Sequence, residues 1–147
     1  MTPAERAYLD ATRVGRLATA DAEGRPHVVP VCFALVGDPP AVVSALDEKP
    51  KDATPRELRR VRDVAANPRV ALVADHYTED WDRLGWVQVR GTADLLDPGA
   101  GDHAGAVGAL RGKYDQYRDH ALGERPVLQI DPGHTVSWGD LDPELAE

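Results

Sequence analysis

Apolar residues recur along this chain at two different spacings. Val87, Val89, Gly91 and Ala93 alternate with Gln88, Arg90, Thr92 and Asp94, a period of two that predicts a strand over 85–96 with one buried face and one wet face. Similar runs over 14–20, 26–36, 41–46 and 69–77 are divided by turn chemistry such as Asp21-Ala22-Glu23-Gly24 and Gly37-Asp38-Pro39-Pro40, which predicts a β-meander. Two short strands, 126–130 and 134–138, are expected around Asp131-Pro132-Gly133, followed by an acidic tail from Asp140.

Helices announce themselves differently. Thr2-Pro3-Ala4-Glu5 and Thr54-Pro55-Arg56-Glu57 each place Thr at N-cap, Pro at N1 and Glu at N3, predicting helices over 3–12 and 55–66. The second should stop before Asn67-Pro68, because a residue preceding proline is pushed out of the α region. Val107, Leu110, Tyr114 and Tyr117 support a third helix over 102–121, weakened by Gly105, Gly108 and Gly112. With about seven strands and no regular βαβ alternation, the pattern predicts one mainly antiparallel sheet or barrel with helices as connectors or covers. At 147 residues this is a single domain.

Composition removes several classes of function. A net charge of -8 opposes nonspecific binding to nucleic acid or an anionic membrane. No apolar run approaches the roughly 20 residues of a membrane helix, and the polar opening lacks a signal peptide, so a cytoplasmic protein is expected. A lone Cys32, placed in a core strand by the pattern, excludes an internal disulfide and a cysteine-rich metal site. Neither Gly-x-Gly-x-x-Gly nor a P-loop is present, and Ser44 and Ser137 lie in no nucleophile elbow. The five histidines lack metal-ligand spacing; Asp102-His103 and Asp119-His120 read as solvated helical faces and no metal is expected. Such a chain points to chemistry carried by a cofactor.

Two features remain. Between Lys49 and Arg69, seven basic residues face three acidic ones, so a window at +4 sits in a remainder at -12. Arg56 and Arg60 are spaced i, i+4, and Arg59 and Arg62 i, i+3, with Leu58, Val61 and Ala65 left to face the core. Those ridges either bind a phosphate or carboxylate, with Lys49 and Lys51 closing over it, or form an ordinary solvated face. His76, Tyr77, Trp81 and Trp86 gather four rings into eleven residues, either to stack on a planar cofactor or to fill a core corner or subunit contact.

The order of motifs then becomes informative. Gly15-Arg16-Leu17-Ala18-Thr19-Ala20, the turn through Gly24-Arg25-Pro26-His27-Val28-Val29-Pro30-Val31, Asn67-Pro68-Arg69-Val70-Ala71-Leu72 and Val87-Gln88-Val89-Arg90-Gly91-Thr92-Ala93 resemble the pyridoxamine 5'-phosphate oxidase-like split β-barrel superfamily. Asp75-His76-Tyr77-Thr78-Glu79-Asp80-Trp81 with Trp86 resembles its coenzyme F420-dependent branch, and the likeness covers about 4–139. It implies an α+β, mainly β fold: a six-stranded antiparallel Greek-key split barrel with peripheral helices over about 14–139, plus the tail 140–147. It further implies a homodimer, with a flavin or deazaflavin in a groove between protomers.

In that resemblance, Pro30, Val31, Ser44 and Ala45 lie along the ring system, and basic side chains hold the phosphate: Arg60 first, with Arg59, Lys49 and Lys51 behind it. His76 and Trp81 join the cofactor-binding set, and His76 or Tyr77 is the local proton donor. The stretch 47–55 is longer than in the commoner pattern. The short segment His134 to Gly139 offers no match for the C-terminal substrate-binding Arg and His of vitamin B6 oxidases, which argues against that activity. The implied function is hydride transfer between reduced coenzyme F420 and a small organic acceptor; an acidic oligoglutamate tail suits the +4 window. The alternatives are an FMN-dependent oxidase or flavin reductase, and a non-catalytic carrier of flavin, deazaflavin or haem, with His76 as the haem ligand.

Overall fold

The computed structural model describes residues 1–46 and 58–147. Helix α1, Pro3–Ala11, begins as its sequence demands: the Thr2 hydroxyl accepts from the Glu5 N–H at 3.1 Å, while the Glu5 carboxylate accepts from the Thr2 N–H at 2.8 Å. Helix α2, Arg59–Ala66, ends at Asn67 as expected, whereas the Thr54 cap lies outside the described residues. Helix α3, His103–Lys113, is shorter than the expected 102–121. Tyr114 leaves the helix in an extended conformation and a separate 3-10 turn spans Asp115–Asp119.

Among the described residues, seven antiparallel strands, one more than the resemblance implied, form a single sheet: β1 Gly15–Ala20, β2 Pro26–Val31, β3 Ala34–Val36, β4 Ala41–Ala45, β5 Arg69–His76, β6 Gly85–Leu96 and β7 Val127–Gly139. Their order is β2-β1-β5-β6-β7-β4-β3, a curled split barrel. Two expectations are corrected. The run 26–36 is two strands, because the chain leaves β2 at Cys32 and Phe33 to change partners. Conversely, 126–138 is one strand: Asp131-Pro132-Gly133 is a bulge, where the register against β6 shifts between Arg90 and Gly91. Gly91 permits it, since any Cβ there would overlap the Asp131 carbonyl.

The inner face of the sheet closes on Tyr8, Leu9, Leu17, Phe33, Leu72, Val87, Val89, Leu128 and Ile130. A second cluster packs α3, through Ala106, Val107 and Leu110, against Val43, Ala45 and Val127. The acidic tail is tied down: Arg83 pairs with Asp140 and Asp142, and Ala146 is buried against the first cluster.

The outer face differs. The register aligns Val28, Ala18, Ala71, Arg90 and His134 in one row across five strands, and Pro30, Arg16, Val73, Gln88 and Val136 in the next. Ala18, Ala71, Val73 and Val136 are only half-buried, Val28 is exposed, and all five belong to neither core cluster.

Strand β2 is an edge of the sheet. The Asp21 N–H donates to the Arg25 carbonyl at 3.1 Å, which makes the odd-numbered residues of β2 the hydrogen-bonded partners of β1. Pro26, Val28 and Pro30 therefore turn their backbone outward, so both prolines stand where no N–H is needed.

Candidate functional site

At the C-terminal end of β2, a cleft of about 190 Å³ is lined by Val14, Val29, Pro30, Val31, Cys32, Ala45 and Arg60. Four residues expected to bind a cofactor, Pro30, Val31, Ala45 and Arg60, thus meet from three separate stretches of chain. Ser44, also expected to bind the cofactor, is buried, and its hydroxyl donates to the Cys32 carbonyl at 2.7 Å, which pins β4 to the end of β2.

Arg60 is 7% exposed, which corrects the reading of α2 as a helix with its basic residues outside and Ala65 inside. The buried face is Arg60, Val61, Asp63 and Val64, and Ala65 is exposed. Asp63 accepts the Thr19 hydroxyl at 2.7 Å and lies 3.6 Å from the Arg59 guanidinium. This holds α2 on β1 and turns Arg59 away from the cleft, toward a bowl shared with Asp21, Glu23, Arg25 and Arg62. Lys49 and Lys51 lie outside the described residues.

Sequence reasoning missed the support behind the cleft. Cys32 lines it, half-buried, instead of lying in a core strand. The next residue, Phe33, donates its N–H to the Tyr114 hydroxyl at 3.0 Å, and that hydroxyl in turn reaches the carbonyls of Phe33 and Arg13, both at 2.9 Å. Burial pushes Tyr114 up to about 12, so it stays a neutral donor. Lys113 sits 4.0 Å from the Phe33 ring centroid and donates to the Leu9 carbonyl at 3.0 Å. The aromatic residue that ends α3 was the available signal.

His76, Tyr77 and Trp81 stand elsewhere, at the turn between β5 and β6. The His76 Nε2–H donates to the Arg83 carbonyl at 2.6 Å, which leaves Nδ1 to accept from the Tyr8 hydroxyl at 2.8 Å. With both ring nitrogens engaged, His76 acts here as a clamp on the turn and offers no lone pair for a haem iron. Burial, assisted by Asp75, pushes Tyr8 up to about 12. Tyr77 and Trp81 are 68% and 70% exposed, which excludes a packed core corner for these two rings. Trp86 faces Trp138 across β6 and β7. Among the described residues, no group of His, Cys, Asp and Glu is placed to hold a metal ion, and no helix is long and apolar enough to cross a membrane.

A deeply buried guanidinium beside proline, valine and alanine side chains suits an anionic group attached to a flat apolar body. The cleft is smaller than the roughly 300–1,000 Å³ of sites that enclose a whole cofactor, so it suits one end of such a molecule.

Known proteins share the fold and part of the sequence. The family described as Pyridoxamine 5'-phosphate oxidase matches residues 1–139. A 5a,11a-dehydrotetracycline/5a,11a-dehydrooxytetracycline reductase of Streptomyces rimosus is 32% identical over 142 residues, covering 94% of this chain and 82% of the relative. A conserved hypothetical protein from Mycobacterium tuberculosis superposes with a TM-score of 0.73 at 19% identity, over 98% of this chain and 88% of that one. An FAD binding protein from Mycobacterium smegmatis gives a TM-score of 0.61 at 19% identity, over 94% and 96% of the two chains.

Proposed function

Because the chain belongs to the pyridoxamine 5'-phosphate oxidase family of oxidoreductases, we propose that it transfers a hydride between reduced coenzyme F420 and a small organic acceptor. The observation that carries this reading is Arg60, an arginine buried in a cleft of otherwise apolar character between β2 and β4. The coenzyme would supply the hydride chemistry, as cofactors of this kind do. The residues of this chain bind and orient: Arg60 neutralises the phosphate, Pro30, Val31 and Ala45 present an apolar wall that excludes water, and Ser44 and Tyr114 keep that wall in place. Arg62 is exposed on the next face of α2, where further negative charge from an acidic tail would meet it, while Arg59 is held by Asp63. Such a tail distinguishes the deazaflavin from FMN, which one or two basic residues would satisfy.

The functional unit in this reading is a homodimer. The half-buried Ala18 and Ala71 of one row and Val73 and Val136 of the next form the surface a second copy would cover, and the second copy would add a further wall to the small cleft. Ala71→Arg, at the centre of the first row, should convert dimer to monomer in light scattering while leaving the circular dichroism spectrum unchanged.

Fluorescence titration with coenzyme F420 and with FMN, at two salt concentrations, tests the cofactor. Wild type should bind the deazaflavin at micromolar concentrations, more weakly at high salt, and Arg60→Ala should lose about tenfold or more. Binding of FMN alone, or of neither, refutes the deazaflavin reading. Binding of the deazaflavin without turnover of any acceptor leaves a carrier in place of an enzyme.

A further inference from the structure

We propose that the turn Tyr77–Arg83 is a binding corner for a planar organic cation, a reading that stands apart from the oxidoreductase reading above. Two aromatic rings project here with most of their surface in water, Tyr77 and Trp81. They are held as a pair: the Trp81 indole N–H points to the Tyr77 hydroxyl at 3.4 Å, and that hydroxyl points to the Glu79 carboxylate at 3.3 Å. A carboxylate thus stands at the hydroxyl edge of one exposed ring whose hydroxyl also meets the indole of the other, and exposed rings next to a carboxylate suit alkylated or aromatic ammonium groups.

The turn itself is held rigidly. The Asp80 side chain accepts the Asp82 N–H at 3.2 Å, the Asp80 carbonyl accepts the Arg83 N–H at 3.0 Å, and the Thr78 hydroxyl accepts the Asp80 N–H at 3.3 Å. His76 and Arg83 anchor it from below, through the contacts to Tyr8, Asp140 and Asp142. The nearby cations are already committed: Arg83 lies between Asp140 and Asp142, and Arg16 pairs with Asp75 at 2.7 Å. Glu79, Asp80 and Asp82 therefore leave the corner net negative, opposite in sign to the Arg60 cleft. An anionic ligand would be repelled here and a flat cationic one attracted, which makes the corner a filter on charge as well as on shape.

N-methylquinolinium is a suitable cationic probe, with quinoline as its neutral counterpart and quinoline-2-carboxylate as the anion. The three tryptophans of the full chain give three indole signals in a nitrogen-proton correlation spectrum, and Trp81→Phe identifies which belongs to Trp81. The cation should move the Trp81 signal saturably, and Glu79→Gln should weaken that binding about threefold to fivefold. Trp81→Ala should abolish it, while the signals of Trp86 and Trp138 report that the fold is intact. The neutral or anionic probe binding as tightly as the cation overturns the proposal, as does a Trp81 signal that no probe moves, or cation binding that survives Trp81→Ala. Because no coenzyme is present, the result is independent of the F420 titration, and either reading can fail alone.

Discussion

Lys113→Met tests how burial is balanced around the cleft. The Lys113 ammonium lies between α1 and α3, over the Phe33 ring, and loss of hydration pushes it down from 10.5 to about 8, with Arg13 adding to the effect and Asp10 opposing it. In the unfolded chain the same lysine keeps its proton to about 10.5. Between pH 8 and 10.5 the unfolded state thus binds more protons, and stability must rise with pH across that window. Below pH 8 the penalty of the buried charge is felt in full. The gap between 10.5 and about 8 corresponds to roughly 3 kcal/mol at most, and to roughly 1–2 kcal/mol because the side chain remains partly hydrated. Tyr8 and Tyr114, both pushed up to about 12, act in the opposite sense: the folded state holds their protons longer, so stability falls as pH climbs above about 10. Urea unfolding of the wild type, followed by tryptophan fluorescence from pH 7 to 11, should rise and then fall. Lys113→Met should keep the fall and lose the rise. A variant whose profile climbs in parallel with the wild type between pH 8 and 10 refutes the reasoning.

Further substitutions probe the supports. Asp63→Ala leaves the buried Thr19 hydroxyl without its acceptor and frees Arg59, and should cost about 2–3 kcal/mol in chemical denaturation. It should also weaken anion binding at Arg60, because α2 loses its tie to β1; unchanged stability would refute that role. Gly85→Ala places a Cβ against the Asp140 carbonyl and should lower stability by about 2 kcal/mol or more, measured by thermal unfolding.

Local physics was legible in the sequence wherever it decided structure alone. The Thr2 and Glu5 capping box, the stop at Asn67-Pro68 and the alternation from Val87 to Ala93 each depend on neighbours a few residues away, and each appears as expected. Where a distant partner decides, the sequence was silent. Asp131-Pro132-Gly133 has the composition of a turn, and only Gly91 on the facing strand makes it a bulge. Tyr114 fits the helical spacing of α3, yet its hydroxyl is committed to Phe33 and Arg13, 81 and 101 positions away in the chain. Arg60 was given the wrong exposure, since a helical pattern assigns every arginine to the wet side until a cleft is known to receive it.

The prolines of β2 carry a consequence for how the first hairpin assembles. Slipping the pairing by a single residue would turn Pro26 and Pro30 toward β1, at positions that require an N–H neither can provide, and would carry Val29 and Val31 to the wet side. The misaligned hairpin is thus penalised twice, once in its ladder and once in its burial. Two imino acids act as a check on alignment during folding, so that the strand bordering the Arg60 cleft arrives in one frame.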